Sequence, residues 1–449
     1  MIDASRRTFL GAGAFAAVGS AAMTASCATA ASPEGTTSGA AGPDAASIEA
    51  DLLKYVGFGN KRAGGPGDTA CGDWLAGEIE KAGYAIERQT FQAPFFEASK
   101  AELTLEGTTV PVWPQPIVTP TGPDGVTGAL VRVDVAGHFT GSLQGAIALV
   151  DLPYSRWSSA LARPVRGPID AAFAAGAKAV VAITNGPTGK VIALNADGRQ
   201  PMFPGPVALL APDKAQPFLA AAFDRKEATL VLDGQGGRRD AFNFVGRMDR
   251  GKAKWIAVST PRSGWFGCAA ERGGGVAAWL DVARWAPAAL PDYNLALICN
   301  TGHEYEYLGA AEAMKAIAPP VEATRFWLHL GANVAARDWR EMPGMATPLP
   351  NVDAQRVLSI SPELLPVAQS VFAGQLGYEA PVSSAVLSAG ELDEVIKAGY
   401  ASAAGVFGIH RYHHVEEDDA RCLHVPATIA AADGFRRLLL AVTAVQTRP

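Results

Sequence analysis

The stretch Thr301-Gly302-His303-Glu304-Tyr305-Glu306-Tyr307-Leu308-Gly309 sets an imidazole beside a carboxylate, directly after the apolar run Leu295-Ala296-Leu297-Ile298. A buried strand that ends in a polar loop and leads into a helix is where open α/β sheets keep their chemistry. An imidazole in such a place can act as acid or base near neutral pH, with a carboxylate as ligand or partner. Comparable groups follow other apolar runs. Arg262, Trp265 and Cys268 come after Lys254–Thr260. Glu271 and Arg272 stand in Ala270-Glu271-Arg272-Gly273-Gly274-Gly275-Val276-Ala277. His329 ends Arg325-Phe326-Trp327-Leu328, and His413 and His414 sit in Tyr412-His413-His414-Val415-Glu416-Glu417-Asp418. Nitrogen and oxygen donors of these types suit zinc, and Cys268 would be a nucleophile if an imidazole lowered its pKa.

The elements that must position these groups follow from periodicity. Ile48 to Val56 reads as a short helix, followed by the Gly-rich loop Asn60 to Asp68. Ala70 to Ala82 has Trp74, Leu75, Ile79 and Ala82 on one helical face, with Gly83 as its stop. Tyr84 to Phe91 alternates like a strand. In the middle of the chain, strands are expected at Ala129–Val133, Gly145–Asp151, Gly176–Asn185 and Gly205–Leu210, with helices at Pro168–Ala175 and Ala215–Phe223. From Lys254 to Val445 strands and helices alternate: helix Gly274–Trp285, strand Leu295–Asn300, helix Ala310–Ala318, strand Arg325–Leu330, helices Glu363–Gly374 and Ile429–Val445. Such alternation implies an α/β fold with a mainly parallel, mixed sheet and helices on both faces.

Of 449 residues, 49% are hydrophobic and 18% charged, with a net charge of -6 and no block of Lys or Arg. That balance gives no footing for nucleic acid or an anionic membrane surface. Ser5-Arg6-Arg7-Thr8-Phe9-Leu10 and the apolar stretch Leu10 to Met23 form a twin-arginine signal, with Ala28-Thr29-Ala30 as its cleavage site. The stretch is too short and Gly-rich for a transmembrane span, so export to the periplasm or beyond is expected, with Cys27 a candidate lipid anchor. Residues 31–47 read as a flexible linker. Cys71, Cys268, Cys299 and Cys422 leave three disulfide pairings open, and without a CxxC pair they do not suggest a thiolate zinc site.

Taken in order, these strand ends resemble the co-catalytic zinc aminopeptidase family, which includes glutamate carboxypeptidase II and glutaminyl cyclase. The resemblance covers roughly 48–120 and 240–449 as one α/β domain. The segment 121–239 is similar to a protease-associated domain, a β-rich insert without catalytic residues, found where that family often carries one. The resemblance implies two zinc ions, five protein ligands and a Glu base. Here Thr260 and Arg262 replace the family's His-x-Asp pair. Glu271 replaces the bridging Asp, His303-Glu304 the Glu-Glu pair, and His329 a further Asp ligand. His414 matches the last His, with His413 as its rival. Asp393 stands where the family has another Asp, although a charge at a helix N-terminus is the simpler account of it.

Against the family's five negative charges, the matching residues carry a single net negative charge with neutral imidazoles. Two zinc ions would then lack compensation. Two readings remain for an active centre. One zinc would rest on three of Glu271, Glu304, His329 and His414, with His303 as base on a bound water. Alternatively there is no metal, and His303, Glu304 and Arg262 carry the chemistry. Thr260, Trp265 and Arg272 are expected to bind substrate, with Trp265 and Phe266 either a specificity pocket or core. The expected function is hydrolysis of an amide or peptide-like bond in a peptide or small amide substrate. The alternative is an inert relative of the same fold that binds a peptide or small ligand. Cyclase or lyase chemistry has no positive signal, and oligomeric state, substrate identity and roles for His138, His410 and His424 are not encoded legibly.

Overall fold

Alternating apolar residues decide which face each central strand presents. Ile256, Val258, Leu295, Leu297, Phe326 and Leu328 pack on one side, and Ala257, Ala296, Ile298 and Trp327 on the other. This is the period of two that a pleated strand imposes. The first side is covered by helices Ala45–Val56, Pro66–Lys81, Ala269–Ala289 and Val425–Ala444, through Leu52, Leu75, Trp279 and Leu438 among others. The second is covered by helices Leu308–Ala316 and Leu392–Lys397, through Ala313, Leu392 and Val395. With both faces covered, a parallel sheet is stable. This computed structural model describes residues 42–342 and 345–444. The export signal, Cys27 and linker residues 31–41 lie outside them. Among the described residues no helix is long and apolar enough to cross a membrane.

Strand Trp255–Pro261 runs parallel to Asn294–Asn300 on one side and to Thr324–Leu330 on the other. Ala403–Gly408 continues in parallel beyond Thr324–Leu330, and Arg356–Ile360 is antiparallel to it. The winding therefore reverses at Trp255–Pro261, and ligands of open α/β sheets sit at the carboxyl ends of strands at such a switch point. The loops after these four parallel strands carry Ser263, His303, the residues following Leu330, and the His410–His414 run.

The longest strands were the least legible ones. Ala85–Leu105 and Glu227–Met248 pair antiparallel from Ala85 opposite Arg247 to Thr104 opposite Thr229. Only Tyr84 to Phe91 of the first was expected, because Pro94 and the charged Glu97 and Lys100 interrupt the pattern beyond it. Glu227–Met248 also pairs with Asn294–Asn300 at one end and with Val126–Val133 at the other. One 14-stranded sheet thus continues into the middle of the chain. There Val126–Val133, Ile147–Asp151, Ala179–Ile183 and Val207–Leu210 are parallel neighbours around a core of their own, including Leu130, Leu149, Val181 and Phe218.

Helix Ala269–Ala289 begins well before the expected Gly274. Its first N–H groups, which no helix can satisfy internally, are met by a remote side chain. Asp418 accepts from Ala270 N–H at 2.9 Å and Glu271 N–H at 3.0 Å. This cap draws the His410–Asp418 loop onto the helix start. Gly275 is required where the helix crosses a strand end, since a Cβ there would lie 2.8 Å from the Leu330 carbonyl oxygen. Gly309 is tighter still, its missing Cβ pointing into the Thr301 carbonyl. Gly309→Ala is expected to lower stability by about 3 kcal/mol, the upper range for overpacking, read as a fall in the urea midpoint at constant slope.

Candidate active site

Two acid–base pairs and a guanidinium meet at the switch point. Glu271 and Arg272 come from the first turn of helix Ala269–Ala289, where Arg272 Nη2 lies 2.6 Å from Glu271 Oε1. His414 Nε2 approaches the same oxygen at 3.2 Å. Its Nδ1 lies 2.9 Å from the Ala193 carbonyl, in a loop of the middle segment. The His413 ring stacks on His414 at 3.9 Å. Across the cluster, His303 Nδ1 lies 3.2 Å from Glu391 Oε1, and Asn300 donates to Glu391 Oε2 at 2.9 Å. His329 is held through Nδ1 by Ser259 Oγ at 2.9 Å, and its Nε2 is buried without a partner.

The cluster is almost sealed. Glu271 and Arg272 are fully buried, and His303, the most open of the group, is 7% exposed. Burial, then the Arg272 charge, holds the His303 imidazole well below its usual range. Burial, then His414, does the same for His413. Burial brings His329 down to about 4, although Glu391 opposes it. Glu391 is pushed up by burial. Glu271 resists: burial would raise its carboxyl, but Arg272 and His414 together keep it well below the carboxylate range. At neutral pH the centre therefore holds His303, His329 and His413 as neutral imidazoles around an internal Glu271–Arg272 ion pair.

The expected site residues divide. Glu271, Arg272, His303, His329 and His414 converge. Arg262, expected to face substrate, turns beneath the site instead: it pairs with Asp68 at 2.9 Å, donates to Phe242 O at 2.7 Å and stacks on the Phe242 ring. Glu304, expected as ligand and catalyst, is taken up by Ala63 N–H and Ser263 Oγ, both at 2.7 Å. It clasps the Gly-rich loop to the strand end. Thr260 donates to Leu330 O at 2.8 Å and is fully buried. Trp265 donates to Asn195 Oδ1 at 3.0 Å and packs edge-on against Tyr305. The Cys268 thiol lies 3.2 Å from Tyr55 OH and burial pushes it up to about 12, so it is no thiolate nucleophile. All four described cysteines are free.

Sequence reasoning missed Glu391, Asn300 and Asp418. Asp393, two residues beyond Glu391, accepts from Ser388 Oγ. His410, left without a partner, is fully buried with Nε2 3.4 Å from Asp418 Oδ2.

One group among the described residues could take a metal ion: Glu271, His413 and His414, with donor atoms within 4.8 Å of one another. It keeps two of the expected ligands, adds His413 and leaves out Glu304 and His329. As arranged it does not fit a divalent cation. The Arg272 guanidinium already neutralises its only carboxylate, and like unit charges about 4 Å apart repel by about 4 kcal/mol at the effective dielectric of a protein.

Local strain gathers here as well. Phe266, Cys268, Glu306, Tyr307 and His414 all have positive φ, between 38° and 63°. Non-glycine residues rarely hold that conformation, and when they do they cluster at functional loops.

No family model matches the sequence, and no curated protein does. Solved structures do match. A zinc aminopeptidase from Bacillus subtilis superposes with a TM-score of 0.69 at 17% identity, covering 88% of this chain and 94% of that one. A peptidase M28 precursor from Shewanella amazonensis SB2B gives 0.68 at 15% identity, covering 90% and 98%. An aminopeptidase from Aneurinibacillus sp. strain AM-1 gives 0.63 at 16% identity, covering 88% and 93%. At such identities the likeness concerns architecture, and the architecture is that of the zinc aminopeptidases.

Proposed function

We propose that this protein hydrolyses an amide or peptide-like bond at a metal-independent centre, with His303 as base and Arg272 as the resident positive charge. The observation that carries the reading is the Arg272 guanidinium, buried beside Glu271 and Glu391, with Nη2 taken by the Glu271 ion pair and Nη1 without a hydrogen-bond partner. Glu391, fixed by Asn300, receives Nδ1–H of His303 and leaves Nε2 as the basic nitrogen. A water deprotonated by Nε2 attacks the carbonyl carbon, and the oxyanion that forms accepts hydrogen bonds from Arg272. When the C–N bond breaks, His303 returns the proton to the departing amine. The depressed His303 pKa keeps the base in its neutral form across the neutral range. Glu391 stabilises the imidazolium that forms transiently, as a carboxylate does behind any catalytic histidine.

Peptides or small amides are the proposed substrates, met outside the cytoplasm after twin-arginine export. Residues 121–239 are proposed as a protease-associated-like insert. Its part at the site is the loop whose Ala193 carbonyl orients His414. His303→Ala is expected to lower turnover of aminoacyl and N-acyl p-nitroanilides by about 10²–10⁴-fold, with the urea midpoint little changed. Protein purified without added metal should carry well under one equivalent of zinc. One equivalent, lost on replacing His413 and His414, would sink the metal-independent reading.

The near-complete closure of the cluster favours a second reading, an inert binding protein. Stoichiometric ligand binding with no turnover in the parent, and no effect of His303→Ala on it, would establish that instead.

A further inference from the structure

A cleft of ≈ 220 Å³ opens beside the buried cluster, walled by Arg62, Phe95, Trp113, Ile117, Trp265 and Tyr305. Two of its walls belong to loops already described: Trp265 follows Ser263, and Tyr305 follows His303 and Glu304. The aromatic rings brace one another. Trp113 meets Trp265 edge-on at 6.0 Å, and Trp265 meets Tyr305 at 5.8 Å. An enclosed apolar cavity of about 150 Å³ accepts a benzene ring, so this cleft has room for one ring and a small polar group.

Its polar groups have one sign. Arg62 Nε and Trp113 Nε1 are buried donors with no acceptor. Arg62 gives one N–H to Phe96 O at 3.2 Å and lies over the Trp113 ring at 5.8 Å. Among the described residues no carboxylate stands within ion-pairing distance of it. Buried donors without acceptors carry a desolvation penalty that an incoming acceptor relieves. The structure thus has an aromatic box with an unmet guanidinium Nε–H and an unmet indole N–H.

We propose that this cleft binds a carboxylate joined to an aromatic or bulky aliphatic group, as at the end of a peptide that terminates in Phe or Leu. The ring packs among Phe95, Trp113 and Trp265, and the carboxylate accepts from Arg62 and the Trp113 indole. The site does not depend on hydrolysis at the buried cluster.

The test titrates the full-length protein with N-acetyl-L-phenylalanine, followed by tryptophan fluorescence and calorimetry. N-acetyl-L-phenylalaninamide removes the anion, and N-acetylglycine removes the ring. Saturable one-to-one binding is expected, with the acid favoured over its amide and over the glycine analogue by on the order of tenfold each. Arg62→Gln should erase the preference for the acid, while Arg62→Lys keeps most of it. Trp113→Phe, which deletes the indole N–H, should weaken binding several-fold, and His303→Ala should leave it unchanged. Absence of saturable binding, or equal affinity for acid and amide, would overturn the proposal. Loss of binding in His303→Ala with Arg62→Gln unaffected would also overturn it, by moving the ligand to the buried cluster.

Discussion

Arg272→Leu is expected to cost about 3–5 kcal/mol of stability, the range for removing one partner of a buried ion pair, and zinc is expected to return part of it. Glu271 lies at 0% exposure with Arg272 Nη2 at 2.6 Å as its charge partner. Without the guanidinium the carboxylate is stranded in a site closed to water. The same change removes the cation that opposes a metal. Glu271, His413 and His414 then offer three donor atoms within 4.8 Å of one another, the number that a tetrahedral zinc with one water requires. A ligand that binds only the folded state adds about 2.7 kcal/mol at a hundredfold excess over its Kd. The urea midpoint of the variant should therefore fall in chelator and climb again with zinc, and elemental analysis should find close to one equivalent. The parent should respond to neither. If zinc stabilises the parent by as much, Arg272 is not what keeps the ion out.

The second large effect concerns the other buried arginine, and it should be purely structural. Arg262 and Asp68 are 0% and 1% exposed at their side chains and 2.9 Å apart. Burial raises the Asp68 carboxyl even with that guanidinium beside it, so the pair is held at considerable desolvation cost. Arg262→Leu alone is expected to cost about 3–5 kcal/mol, because Asp68 is left uncompensated, whereas replacing both partners by apolar groups of similar size costs far less. A double-mutant cycle with Asp68→Leu in urea measures the difference as a coupling energy. Turnover per folded molecule should change little in the double variant. A loss of turnover comparable to that of His303→Ala would return Arg262 to the catalytic machinery.

How much of this could be read from sequence depended on whether a residue's partner was near or far along the chain. The central strands were legible because they are buried on both faces and therefore apolar throughout; Asn294–Asn300 is buried at every position. His303, His329, His414, Glu271 and Arg272 were legible because each follows such a strand or opens the helix after it. Arg262, Glu304 and Thr260 occupy equivalent positions, but their side chains are claimed by Asp68, by Ala63 and Ser263, and by Leu330. Those partners arrive through tertiary packing and leave no local pattern. The early start of helix Ala269–Ala289 was hidden for the same reason, since its cap is Asp418. Glu391 was hidden by its neighbour. Two acidic residues flank Leu392, and nothing in their spacing says that Glu391 is 1% exposed and paired with His303.

The two long strands decide how a substrate can reach such a closed place. Ala85–Leu105 and Glu227–Met248 are laddered along almost their whole length and tie the middle of the chain to the main sheet. A clamshell hinge would have to break that beam. The buried segment 192–196 is bonded to the site loops by Ala193 N–H to His414 O, the His414 ring to Ala193 O, Ala196 N–H to Glu304 O and the Trp265 indole to Asn195 Oδ1, and to its own neighbours through Thr184, Ser158 and Ala160. Displacing it would cost His414 its orienting acceptor and the loop that carries His303 its bond from Ala196. Access by this route and the geometry of the centre therefore cannot change independently, because the Ala193 carbonyl that closes the site also orients His414.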